Sequence, residues 1–132
     1  MRPYSQVIKK LRDAGLRPTR QRVSLARILF EHGDCHVTAE SLHAHAKDAN
    51  ILVSLATVYN SLHQFTEAGL LREIVLNAQR SYFDTNTDDH HHFFCEESNT
   101  LEDISSEDVI FSKVPSAPKG KAIKRIDIVI RV

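Results

Sequence analysis

Ser54-Leu55-Ala56-Thr57-Val58-Tyr59-Asn60-Ser61-Leu62-His63-Gln64-Phe65-Thr66-Glu67-Ala68-Gly69-Leu70-Leu71-Arg72-Glu73-Ile74-Val75-Leu76 changes period at its glycine, and that change decides the fold. Before Gly69, the apolar residues Leu55, Val58, Leu62 and Phe65 recur every three or four positions, which stacks them on one helical face. Ser54 is suited to cap the first turn, and Gly69 to end the last in a left-handed conformation. After Gly69 the pattern is extended. A polar turn at Asn77-Ala78-Gln79 leads into Arg80-Ser81-Tyr82-Phe83-Asp84, so the two runs predict a hairpin.

Working towards the N-terminus, Tyr4, Val7, Ile8 and Leu11 keep helical spacing up to Gly15. Thr19 is placed to cap a second helix with Val23, Ala26, Ile28, Leu29 and Phe30 as its apolar stripe, ending near His32-Gly33-Asp34; Thr38 is placed to cap a third over residues 39–46. Helices followed by a hairpin give the order of a winged helix, in which the helix before the hairpin enters the major groove of DNA. Charge agrees with a nucleic-acid-binding end: residues 1–30 carry eight basic side chains against Asp13 alone, whereas residues 85–132 carry six basic against nine acidic. A solvated basic helix face accounts for the same charges.

The 42% apolar and 26% charged composition is that of a soluble globular chain. No apolar run reaches the roughly 18 residues that span a bilayer, so no membrane partner is expected. Met1-Arg2-Pro3-Tyr4 lacks the apolar core of a signal peptide, and a cytoplasmic location is expected. Cys35 and Cys95 form no Cys-x-x-Cys pair, which makes a structural zinc-thiolate site unexpected. Ser24, Ser41 and Ser54 lie in or at the start of helices without a Gly-x-Ser-x-Gly elbow, so the chain is not expected to be an enzyme.

Polar Thr85-Asn86-Thr87-Asp88-Asp89 marks a boundary, after which two strands are expected at residues 90–95 and 100–105 and a last one at 122–131. On the first of these, alternation puts His90 and His92 on one face and His91 on the other. If Glu96-Glu97-Ser98-Asn99 is a four-residue loop, Cys95 pairs with Thr100 and Asp103 falls opposite His92. Mixed imidazole and carboxylate ligands suit a divalent transition metal: iron, manganese or zinc. A surface cluster of solvated histidines is the alternative.

Gly15-Leu16-Arg17-Pro18-Thr19-Arg20-Gln21-Arg22, His36-Val37-Thr38-Ala39-Glu40, Ser54-Leu55-Ala56-Thr57-Val58-Tyr59, Glu67-Ala68-Gly69-Leu70 and the histidine tract occur in the order that resembles the ferric uptake regulator superfamily. Tyr82-Phe83-Asp84-Thr85-Asn86 and the tract at 90–94 are most similar to its iron response regulators, which respond to haem-linked iron status. The resemblance implies an α+β chain: an N-terminal winged-helix DNA-binding domain, residues 1–84, followed by a small α/β dimerisation and sensing domain, residues 85–132. It implies a homodimeric repressor of iron homeostasis that binds double-stranded DNA at a pseudo-palindromic operator.

Carried over by position, the superfamily's metal site falls on His36, Asp84, His90, His92 and Asp103, with His90, His91 and His92 as candidates for haem. Arg17, Thr19 and Arg20, with Ser54, Thr57, Tyr59 and Asn60, form the candidate DNA-contacting set; Asn60 stands where relatives often have arginine. No Cys-Pro haem motif is present, so haem would have to use imidazole. The same five metal ligands also resemble the site of peroxide sensors in the superfamily, in which iron and peroxide oxidise a ligand histidine. A metal-buffering protein that binds no DNA is a further alternative.

Overall fold

The switch of period at Gly69 is a helix terminus built from backbone hydrogen bonds. In a computed structural model, which describes residues 4–31, 33–77 and 80–132, Gly69 has φ +82°. Leu70 N–H donates to Phe65 O at 2.9 Å and Gly69 N–H to Thr66 O at 3.1 Å. Those two bonds satisfy the last carbonyls of the helix and require the left-handed residue that glycine supplies at no steric cost. The chain divides into two compact units, Met1–Thr87 and Asp88–Val132.

The first unit holds α1 (Ser5–Asp13), α2 (Arg20–Phe30), β1 (His36–Val37), α3 (Ala39–Asp48), α4 (Leu55–Glu67), β2 (Arg72–Asn77) and β3 (Arg80–Asp84). Side-chain caps start three of its helices: Thr19 accepts from Arg22 N–H, Thr38 and Ser41 exchange bonds in a capping box, and Ser54 accepts from Thr57 N–H. Val58, Leu62 and Phe65 of α4 are fully buried, but Leu55, expected on the same stripe, is 37% exposed. It sits in the first turn, where the helix has not yet met the core. On α2 the buried residues are Leu25, Ala26 and Leu29, whereas Val23, Ile28 and Phe30 of the expected stripe are only partly buried. Flanked by α1 and α3, this helix buries a face turned towards Leu25.

β2 and β3 form the expected antiparallel hairpin, with Ile74 opposite Tyr82 and an irregularity between Val75 and Asn77. Ala78 and Gln79 of the expected turn lie outside the described residues, as do His32 at the expected end of the second helix and Met1, Arg2 and Pro3. β1 is a two-residue strand that sequence periodicity cannot reveal. It pairs with β3 to give the sheet order β1-β3-β2, and sets His36 opposite Asp84.

The second unit contains β4 (His90–Cys95), β5 (Thr100–Ser105), a 3-10 turn at Ser106–Asp108 and β6 (Val129–Arg131). β4 and β5 have the register that the four-residue loop requires, Cys95 opposite Thr100 and His92 opposite Asp103. The last strand is a correction. It covers Val129–Arg131 in place of 122–131, because it returns parallel to β4 on the side away from β5 and the preceding residues form the crossover. β4 is thereby the central strand. No described helix is long and apolar enough to cross a membrane.

Candidate functional site

Each unit brings part of the expected ligand set together. In the first, the β1–β3 pairing places His36 Nε2 3.1 Å from Asp84 Oδ2. Asp84 is buried, and its other oxygen accepts the Asn86 N–H at 2.9 Å. Burial of a carboxylate is tolerated only with such partners, so both oxygens have fixed directions. In the second unit, His90 and His92 share one face of β4 with ring centroids 4.5 Å apart. Their Nε2 atoms lie 3.5 and 3.3 Å from the same Asp103 Oδ1. The donors are thus imidazole nitrogens and carboxylate oxygens, the set that a divalent transition metal takes.

The orientation of His90 is set by its opposite ring nitrogen. His90 Nδ1 is hydrogen-bonded to the carbonyl oxygen of Asp88, an acceptor, so Nδ1 carries a proton and Nε2 is the nitrogen that faces Asp103. A lone pair facing a carboxylate oxygen is repulsive unless a proton or a cation lies between them. A carbonyl behind a histidine is also the usual second-shell support of a metal ligand. Asp88 was not singled out in the sequence; its place two residues before His90 was the available signal.

His91 lies on the other face of β4, as alternation expects, and all three histidines are buried: His90, His91 and His92 are 6%, 6% and 2% exposed. The His91 ring packs edge-on against Phe111 with centroids 6.0 Å apart, and its Nδ1 accepts the Ile128 N–H at 3.1 Å. With Nδ1 accepting, the proton of the neutral ring is on Nε2, where an iron ligand needs its lone pair. The returning crossover covers this face.

The candidate DNA-contacting residues all belong to the first unit and divide by what their side chains do. Thr19 and Ser54 cap helices, and the Ser54 hydroxyl also donates to Thr57 Oγ1 at 2.9 Å. Arg17, Arg20 and Asn60 are exposed. Tyr59 is 38% exposed, donates its hydroxyl to Glu40 Oε1 at 2.9 Å and stacks on His63 with ring planes 19° apart. The bond to Glu40 raises the Tyr59 pKa. Not every N-terminal cation faces outward unpaired: Lys9 pairs with Asp13, and Arg27 pairs with Glu31 while lying over the Tyr4 ring. Arg22, outside the expected set, ties α2 to α4 through Gln64 at 3.0 Å and also bonds Arg17 O.

The family model described as "Ferric uptake regulator family" matches residues 13–130. The peroxide-responsive repressor PerR of Staphylococcus aureus (strain Mu50) is 34% identical over 97 residues, which cover 74% of this chain and 65% of that protein. The match thus spans just under two thirds of that relative's length. Among solved structures, the ferric uptake regulator of Pseudomonas aeruginosa with manganese superposes with a TM-score of 0.70 at 25% identity, covering 94% of each chain. The Vibrio cholerae ferric uptake regulator gives a TM-score of 0.74 at 22% identity, with 96% of this chain and 98% of that one covered.

Proposed function

Because the chain belongs to the ferric uptake regulator family, we propose that it is a metal-responsive, DNA-binding transcriptional repressor, the first unit binding DNA and the second dimerising and sensing. The observation that carries this reading is the His90, His92 and Asp103 group, with His90 Nε2 turned to Asp103 while Nδ1 is held by the Asp88 carbonyl. His36 and Asp84 of the first unit form a second imidazole–carboxylate pair with the same donor types. His90, His92 and Asp103 would hold a divalent cation, which would supply positive charge to these donors. Iron(II), manganese(II) and zinc(II) all suit the ligands, and the Pseudomonas aeruginosa relative is described with manganese.

A homodimer follows from the small core of the second unit. Among its described residues the buried apolar side chains are Phe94 and Ile104, while Phe93, Ile130 and Val132 are exposed. A second copy covers this apolar surface. Two first units then face a pseudo-palindrome. Selection of a DNA operator with manganese-loaded and metal-free protein tests the reading. Tight, sequence-specific binding is expected in only one of the two states. Arg17 and Arg20 from two copies would make about four phosphate contacts, so affinity should fall about 10²-fold between about 50 and about 200 mM salt. Metal-independent or salt-insensitive binding would remove the basis of the claim.

Similarity to the peroxide-responsive repressor favours a second reading, in which the same centre senses peroxide. One peroxide oxygen adds to a ligand histidine and the other leaves as water. An oxygen added to His36 or His90 after treatment with iron(II) and peroxide, with loss of DNA binding, would decide for it.

The haem-responsive reading, that of an iron response regulator, requires His90, His91 or His92 to turn from its present partner. His91→Ala is expected to leave manganese affinity within about threefold, because the ring lies on the opposite face of β4 from the metal ligands. The substitution strands the buried-side Ile128 N–H and should cost the second unit about 1–3 kcal/mol by urea denaturation. Equal loss of manganese and haem binding in this variant would show that the two faces are not separate.

A further inference from the structure

Glu40, in the first turn of α3, reaches across to Tyr59 on the exposed side of α4. A phenol has one O–H to give and two lone pairs to offer, and an unrestrained tyrosine therefore reads donors and acceptors alike. Here the O–H is committed to Glu40 Oε1 at 2.9 Å. The His63 ring, stacked at 6.5 Å, limits how far the phenol can swing away. An ionised carboxylate has no proton to give. Both groups of the pair thus present acceptors only to whatever approaches the open face of α4.

We infer that Glu40 is a specificity-determining residue that makes Tyr59 an acceptor-only reader, so that the pair selects a base edge carrying an exocyclic amino group in the major groove. The inference rests on the DNA-binding reading and names what that face of α4 recognises. Only adenine N6 and cytosine N4 present such a donor there; guanine O6 and N7 and thymine O4 are acceptors and meet lone pairs. Rejection of the wrong base is therefore built in alongside attraction of the right one. The raised pKa of Tyr59 has the same hydrogen bond as its first cause, which gives the pair a signature in the free protein.

Wild type, Glu40→Gln and Tyr59→Phe are compared in two measurements. In ultraviolet titration of the free proteins, Glu40→Gln should lower the ionisation midpoint of one of the three tyrosines, and Tyr59→Phe should delete that titration. An unchanged midpoint would show that the pair does not form in solution. In the second measurement, each adenine of the selected operator is replaced in turn by purine and each cytosine by 2-pyrimidinone, both lacking the amino group. Wild type should lose about tenfold in affinity at one position of each half-site, and both variants less than about twofold there.

Glu40→Gln should at the same time bind unrelated DNA more tightly, because a carboxylate is gone from the DNA-facing side. Loss in the purine arm identifies adenine, and loss in the pyrimidinone arm cytosine. If no amino deletion matters to wild type, if it matters equally to Glu40→Gln, or if thymine-to-uracil replacement carries the discrimination, the inference is overturned while DNA binding stands. A wild-type protein that selects no operator overturns both.

Discussion

His92→Ala is expected to lower manganese(II) affinity by more than about 100-fold and to leave the metal-free fold in place. His92 is the most deeply buried of the three adjacent histidines, at the middle of the central strand, flanked by Asp103 on β5 and Val129 on β6. Its Nε2 is 3.3 Å from Asp103 Oδ1. Changes in groups that merely support a ligand cost about 10- to 100-fold in metal affinity, and loss of a ligand itself should exceed that range. No metal-thiolate link is removed, so the metal-free protein should keep its circular dichroism spectrum and lose only the packing of one ring. Asp103→Asn supplies the isosteric control: it retains volume, removes the charge facing both imidazoles and should lose manganese as severely. Titration calorimetry measures both. Wild-type affinity in Asp103→Asn would sink the proposed centre, whatever His92→Ala does to stability.

The two candidate ligand groups, one in each unit, were legible in the sequence to different degrees, for a physical reason. A four-residue loop fixes the β4–β5 register, and strand alternation fixes the faces, so the pairing of His92 with Asp103 follows from local chain geometry. His36 and Asp84 meet through a two-residue strand paired across a long sequence separation, and nothing local encodes that. Only the family resemblance placed them. Alternation was also right about the direction of His91 and silent about what lies there. The Ile128 bond and the Phe111 contact depend on a crossover with no regular period. The same limit hid Glu40 as the partner of Tyr59, a contact between helices.

Phe65→Ala should destabilise the first unit by about 3–5 kcal/mol, whereas Leu55→Ala on the same helix should change it by about 0.5 kcal/mol or less. The sequence put both residues on one apolar stripe, but their environments differ. Phe65 is wholly buried in the cluster that includes Leu62, Leu71 and Phe83, with its ring centroid 6.5 Å from that of Phe30. Truncation leaves a cavity where α2, α4 and the hairpin meet, and the ordered backbone around it relaxes only partly. Against the roughly 5–15 kcal/mol that holds a small domain folded, such a loss is about a fifth or more of the total. The carbonyl of Phe65 also accepts the Leu70 N–H that closes α4, so disorder at this position releases the helix end from the wing. Operator binding should therefore fail in Phe65→Ala well below the wild-type melting temperature, through loss of the α4 position rather than of a contact to DNA. Urea denaturation of the two variants compares them directly. Similar costs for Phe65→Ala and Leu55→Ala would mean that α4 does not dock by its C-terminal half, and the face assigned to Tyr59 would then be wrong as well.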